Sequence, residues 1–258
     1  MNHILRASLS VALVGCLAAA AQAAGWGTIK GKFVVDGAAP KVAAIDASKD
    51  AYCVSAKPVD ESVMVGKDGA LGDVVVFLRV GTGKTVDVNP EYAASKEQTV
   101  TLDNKGCSFH PHIALVRTGQ PFVIKNSDQT GHNTNATLQK NGNFNALIAA
   151  GDEKKMTFTK SEALPMPVNC NIHPFMHGAI LIKDDPYMAV SGEDGTFEIK
   201  NVPAGKQEFV FWQEIHGYLK DLKYNGGATN KQGRAEVMIE DGKTLDLGEI
   251  KVPASALQ

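Results

Sequence analysis

The stretch Val168-Asn169-Cys170-Asn171-Ile172-His173-Pro174-Phe175-Met176-His177-Gly178 brings Cys170, His173 and Met176 within seven residues of one another. A thiolate, an imidazole and a thioether on one loop are the donors of a soft, trigonal copper site, in which the thioether is a weak axial ligand. Such a site needs a second imidazole from elsewhere in the chain. His132, in Gly131-His132-Asn133, supplies it upstream, after the run Phe122 to Asp128. Zinc is the rival metal, but it prefers more thiolates or carboxylates and finds little use for a thioether. Taken singly, a Cys, a His or a Met is more often structural than a ligand, and it is the combination that points to copper. Nothing in the loop needs to do acid or base work, so the expectation is a metal-binding protein and not an enzyme.

A second group, Gly106-Cys107-Ser108-Phe109-His110-Pro111-His112, also carries ligand types. Two readings stand side by side. In one, Cys107-x2-His110-x-His112 holds a second copper or zinc ion; in the other, Cys107 forms a disulfide with Cys53 and leaves Cys170 as the free thiol. The chain has four cysteines, and the fourth, Cys16, falls in a leader-like segment. His177 reads as a solvated loop residue. Trp212 reads as a core residue, Glu214 as a solvated one, and His216 carries no specific signal.

That leader, residues 1–23, has one positive charge at Arg6, an apolar run from Leu9 to Ala21, and the small-x-small site Ala21-Gln22-Ala23. This is the pattern of a secretory signal peptide, which implies a periplasmic protein. Leu13-Val14-Gly15-Cys16 also fits a lipobox, in which Cys16 would be lipidated. The apolar run is too short for a bilayer span, which needs about 20 residues, so no membrane span is expected. An exported chain meets an oxidising compartment, where thiols are paired or metal-bound.

The elements that must position these residues are strands. Short apolar runs separated by turn residues recur at 28–35, 73–78, 98–102, 113–116, 121–125, 155–158, 178–182, 196–199, 207–212, 234–239 and 244–247. Asp-Gly signals at Asp36-Gly37, Asp68-Gly69, Asp194-Gly195 and Asp241-Gly242 mark the turns. The pattern predicts an all-β chain of antiparallel sandwiches. Helix is expected only over 43–52 and 91–98, the second opened by Pro90. Among 258 residues the net charge is -2, and no basic surplus suggests a nucleic-acid partner.

Residues 98–184 resemble the cupredoxins, the small blue copper β-sandwiches, and Cys170-x-x-His173-Pro174-x-Met176 resembles the short ligand loop of the amicyanins. The resemblance implies a Greek-key sandwich with one type 1 copper, His132, Cys170 and His173 equatorial and Met176 axial. It also implies that Asn133 ties the two ligand loops together beside the sulfur. The outer edge of His173 would break the surface in a small apolar patch with Pro174 and Phe175, where electrons pass to a docked redox protein. Val190 to Glu214, with Asp194-Gly195, Phe197-x-Ile199, Pro203-x-Gly205 and Trp212, resembles the carboxypeptidase regulatory-like, transthyretin-like sandwich. The opening strand Gly27 to Val35 resembles the first strand of that fold. The Cys107 and Pro111-His112 arrangement resembles a segment of exported methylamine-utilisation or plastocyanin-like proteins.

These readings divide the chain into a leader at 1–23, an N-terminal β region at 24–97 that could pair with the C-terminal part, a cupredoxin region at 98–185 and a second small β-sandwich at 186–258. The junction lies at Asp184-Asp185-Pro186, where charge and Pro interrupt the strand pattern. The expected function is single-electron transfer between redox partner proteins. The alternative is periplasmic copper storage or delivery, in which His110, His112 and His177 would receive the ion. A multicopper oxidase or copper nitrite reductase would need further His-rich motifs.

Overall fold

The computed structural model describes residues 25–258, so the signal-peptide expectation over residues 1–23 and the lipobox cysteine Cys16 lie outside the described residues. In chain order the strands begin with β1 (Trp26–Asp36) and β2 (Val75–Leu78). Next come β3 (Val100–Lys105), β4 (Ser108–His110), β5 (Ile113–Arg117), β6 (Pro121–Asn126), β7 (His132–Leu138), β8 (Gly142–Ile148), β9 (Glu153–Thr157), β10 (Met166–Asn169) and β11 (His177–Lys183). The C-terminal part supplies β12 (Met188–Val190), β13 (Thr196–Pro203), β14 (Gly205–Gln213), β15 (Gly217–Tyr218), β16 (Lys223–Tyr224), β17 (Gly227–Ala228), β18 (Arg234–Ile239) and β19 (Thr244–Pro253). The fold is all-β, in two sandwiches.

The first sandwich draws on both ends of the chain. Its sheets are β13-β1-β19 and β12-β2-β14-β15, with β18 added beside β14. β1 runs antiparallel to β13 and parallel to β19. Phe33 sits at the centre of this core, with its ring centroid 5.3 Å from those of Phe197 and Phe211. The second sandwich, β3 to β11, has sheets β5-β11-β10-β7-β8 and β4-β3-β6-β9. Parallel pairing of β3 with β6 and of β5 with β11 marks the crossovers of a Greek key.

Two strands explain why the longest apolar runs carry no polar alternation. Successive side chains on a strand point to opposite faces. On β2, Val76 and Leu78 enter the first core, whereas Val75 and Phe77 join Ile113, Ala179, Leu181 and Val210 in a separate apolar layer. On β11, Ile180 and Ile182 enter the second core while Ala179 and Leu181 face the same layer. Both strands are therefore buried on two faces, and the layer they share joins the two sandwiches.

Helix appears where a cap permits it, not where Ala is dense. Residues 43–50 form no helix; α1 spans Ala51–Ala56 instead. The Asp50 carboxylate accepts from the Tyr52 and Cys53 amides, which start the helix. Lys57, at φ 54°, ends it, its N–H donating to the Cys53 carbonyl. The expected helix over 91–98 is two 3-10 turns, Pro90–Tyr92 and Ala94–Glu97.

Cys53 of α1 is disulfide-bonded to Cys107 across 54 residues of sequence, which leaves Cys170 free and buried. The alternative Cys107-x2-His110-x-His112 thiolate site is thereby excluded, because Cys107 has no thiolate to offer. Replacing both cysteines (Cys53→Ala/Cys107→Ala) is expected to lower the unfolding free energy by about 2–4 kcal/mol, read by urea titration. An unchanged midpoint would mean that α1 is held in place without the crosslink.

Candidate metal centre

His132 opens β7, Cys170 directly follows β10, and His173 and Met176 lie in the turn that leads into β11. The pairing of β10 with both β7 and β11 places all of them at one end of one sheet. All four side chains are buried. The sulfur of Cys170 lies 3.9 Å from His173 Nδ1, which lies 3.0 Å from His132 Nδ1. Met176 sits in the same core cluster as Cys170. The turn is closed by its own backbone: the Met176 N–H donates to the His173 carbonyl at 2.8 Å, and the Cys170 N–H donates to the Met176 carbonyl at 3.1 Å. The His173 N–H also donates to the Cys170 sulfur, 3.4 Å away.

Asn133 ties the two ligand segments. Its Oδ1 accepts from the Asn171 amide at 2.8 Å and the Ile172 amide at 3.1 Å, and lies 3.5 Å from the Cys170 sulfur. Its Nδ2 donates to Asn145 Oδ1 on β8, which holds the amide flat against the turn.

Carboxylates at the far side of each ring decide the protonation. His132 Nε2 is 2.9 Å from Asp128 Oδ2, and His173 Nε2 is 3.2 Å from Asp50 Oδ2. A carboxylate is acceptor-only, so each Nε2 carries the proton, and each Nδ1 of a neutral ring is a bare lone pair. Burial lowers the His132 pKa, keeping that ring neutral. The 3.0 Å separation of the two Nδ1 atoms is that of one hydrogen bond when a ring carries a proton there, and of two donors to a cation when neither does. The donor set of two imidazole nitrogens and one thiolate, with a buried thioether nearby, fits a soft copper ion. These residues would hold it, and the carboxylates behind the rings would fix their tautomer and orientation.

Two carboxylates that carry this logic were not singled out from the sequence. Asp128 stands four residues before His132, in what reads as a plain turn. Asp50 is the α1 cap, and hydrogen bonds from the Thr130 hydroxyl, the Cys53 amide and His173 hold its pKa down at about 2. Asp50 also corrects an expectation. The outer edge of His173 does not break the surface; the residue is 4% exposed, because the Asp50 side chain occupies its Nε2. Pro174 is exposed and Phe175 half-buried, its ring centroid 5.7 Å from that of His173.

The other histidines do not join this centre. His110 and His216 are exposed. His112 and His177 turn to Glu214, which is half-buried between them and not solvated. Burial opposes charge on both partners, yet the Glu214 and Glu61 carboxylates beside His112 push it up to about 10, and the two imidazoles pull Glu214 down to about 2. His177 is raised by the same carboxylate. Trp212 is only partly buried, packed against the layer between the sandwiches.

No protein-family model and no curated protein matches the chain. Among solved structures, a copper-containing nitrite reductase from Thermus scotoductus aligns at 22% identity over 41% of this chain, with TM-score 0.30. The aligned part is 25% of that enzyme's chain. A purple cupredoxin from Nitrosopumilus maritimus aligns at 17% identity over 33% of this chain and 99% of its own, with TM-score 0.28. A reduced mutant amicyanin aligns at 17% identity over 37% of this chain and 90% of its own, with TM-score 0.29.

Asn133→Ala removes the acceptor of two turn amides and is expected to destabilise the protein by about 1–3 kcal/mol in thermal or urea unfolding. A change below a few tenths would show that the turn supports itself.

Proposed function

We propose that the chain is a periplasmic type 1 copper protein that carries single electrons between redox partner proteins, with His132, Cys170 and His173 as equatorial ligands and Met176 as the axial one. The observation that carries this reading is the convergence of two Nδ1 lone pairs and one thiol sulfur in a site whose imidazoles are each locked from behind by a carboxylate. Copper held by these residues would supply one-electron chemistry between Cu(I) and Cu(II). The braced turn limits how far those ligands move, and small movement keeps electron transfer fast.

Pro174 and Phe175, with Ile172, which is 50% exposed beside them, form an apolar edge next to His173 and are the proposed electron-exit patch. Export is supported by the leader-like sequence and by a disulfide, which persists in oxidising compartments. No helix among the described residues is long and apolar enough to cross a membrane.

Storage or delivery would use the same donors but needs an open route for release. Burial of all four side chains, with Asp50 closing over His173, favours retention and hence the electron carrier. Competition with a modest chelator separates the two: a carrier keeps its copper through redox cycling, whereas a delivery protein yields it.

The direct test is the visible spectrum of copper-loaded protein. Wild type is expected to show an intense thiolate-to-copper band that bleaches with ascorbate and is absent from Cys170→Ser. A colourless wild type at stoichiometric Cu(II) would refute the assignment.

A further inference from the structure

On the other side of the Met176–His177 peptide bond, a second group of donors gathers where the two sandwiches meet. His112 precedes β5, His177 opens β11, and Glu214 follows β14 of the other sandwich. Glu214 places one oxygen 2.6 Å from His112 Nε2 and the other 2.9 Å from His177 Nδ1. One nitrogen from each ring and one carboxylate oxygen lie within 4.8 Å of one another, close enough to share an ion. Each ring also turns its remaining nitrogen toward a carboxylate of the segment before β2. His177 Nε2 is 3.4 Å from Asp60, and His112 Nδ1 is 3.7 Å from Glu61. A carboxylate behind each imidazole is the usual arrangement around metal-bound histidine.

Two observations separate this group from an ordinary surface ion-pair cluster. First, His112 is more than nine-tenths buried, and its Nδ1 has no hydrogen-bond partner, an unusual state for a buried polar atom. Second, the backbone is built to bring the two rings together. A Cβ on Gly178 would lie 2.4 Å from the His112 carbonyl oxygen, so only glycine lets the strand behind His177 approach this closely. The ring centroids are then 5.6 Å apart, edge to face. Four acidic residues, Asp60, Glu61, Asp73 and Glu214, surround the two imidazoles, a surplus of negative charge that a divalent cation would offset in part.

We propose that His112 Nε2, His177 Nδ1 and Glu214 form a second metal site, separate from the copper centre, for a borderline divalent ion of the zinc type. Two imidazole nitrogens and one carboxylate leave a coordination position open, the donor set of zinc sites that also bind water or a further ligand. Binding replaces the protons shared within the cluster, so protons leave as the ion enters. The ion would also join the two sandwiches, because His112 and His177 belong to one and Glu214 to the other.

The test uses the full chain carrying Cys170→Ser and His173→Asn, which removes the thiolate and one imidazole of the copper centre. Equilibrium dialysis at micromolar free zinc, followed by metal analysis, is expected to find one zinc per chain, with nitrogen and oxygen scatterers only in its X-ray absorption spectrum. Adding Glu214→Gln is expected to abolish that zinc. His177→Asn at the half-buried ring is the parallel variant should the first not fold. Asp60→Asn is expected to weaken binding by about 10- to 100-fold. No zinc bound with the cluster intact, or zinc that persists in both ligand variants, would overturn the site and leave the cluster as an ionic joint alone. Because the background lacks Cys170, either result is independent of the copper assignment.

Discussion

A fully buried carboxylate has to be satisfied from every side, and Asp128 shows what this chain arranges to satisfy one. It accepts from the Gly106 amide at 2.6 Å, the Cys107 amide at 2.8 Å, the Tyr52 hydroxyl at 2.9 Å and His132 Nε2 at 2.9 Å. A charge out of water without such partners costs several kcal/mol. The four donors come from the β3–β4 turn, from α1 and from β7, so one side chain fixes the relative position of three segments. It also settles the tautomer of His132. With Nε2 committed to Asp128, Nδ1 has to face inward, toward His173 and Cys170. The disulfide reinforces the same junction, since Cys53 and Cys107 are the chain neighbours of Tyr52 and Gly106.

Asp50 performs the matching role on the second ring while capping α1. One carboxylate thus starts a helix, binds the Thr130 hydroxyl and covers the outer nitrogen of His173. The residue that caps the helix is thus also the one that covers this ring. A few residues along, the same segment turns Asp60 and Glu61 toward His177 and His112. The stretch between β1 and β2, which contributes little regular structure, therefore supplies the carboxylate behind His173 and those behind His177 and His112, while Asp128 stands behind His132.

Much of this was legible in the residues. Cys170, His173 and Met176 announce themselves by spacing on one turn, and His132-Asn133 by its place before them; the structure does gather His132, Cys170 and His173. The apolar runs at 75–78 and 234–239 are strands because burial demands an unbroken or alternating apolar pattern. β7 was not legible as a strand. Its sequence His-Asn-Thr-Asn-Ala-Thr-Leu puts amides and hydroxyls at buried positions, and Asn133 there accepts from the Asn171 and Ile172 amides. Buried polar groups there take the place of the hydrophobic signal. Asp50, Asp128 and Glu214 stayed hidden for a different reason. A lone carboxylate in a turn looks solvated until its partners are known, and those partners stand 123, 4 and 102 positions away.

In the proposed function, His132 and His173 present Nδ1, together with the Cys170 sulfur, to a single copper ion. X-ray absorption at the copper edge of the loaded protein reads that shell directly. Two imidazole nitrogens and one short sulfur are expected, with the sulfur lost in Cys170→Ser. A shell of nitrogen and oxygen alone in the wild-type protein would contradict that ligand set.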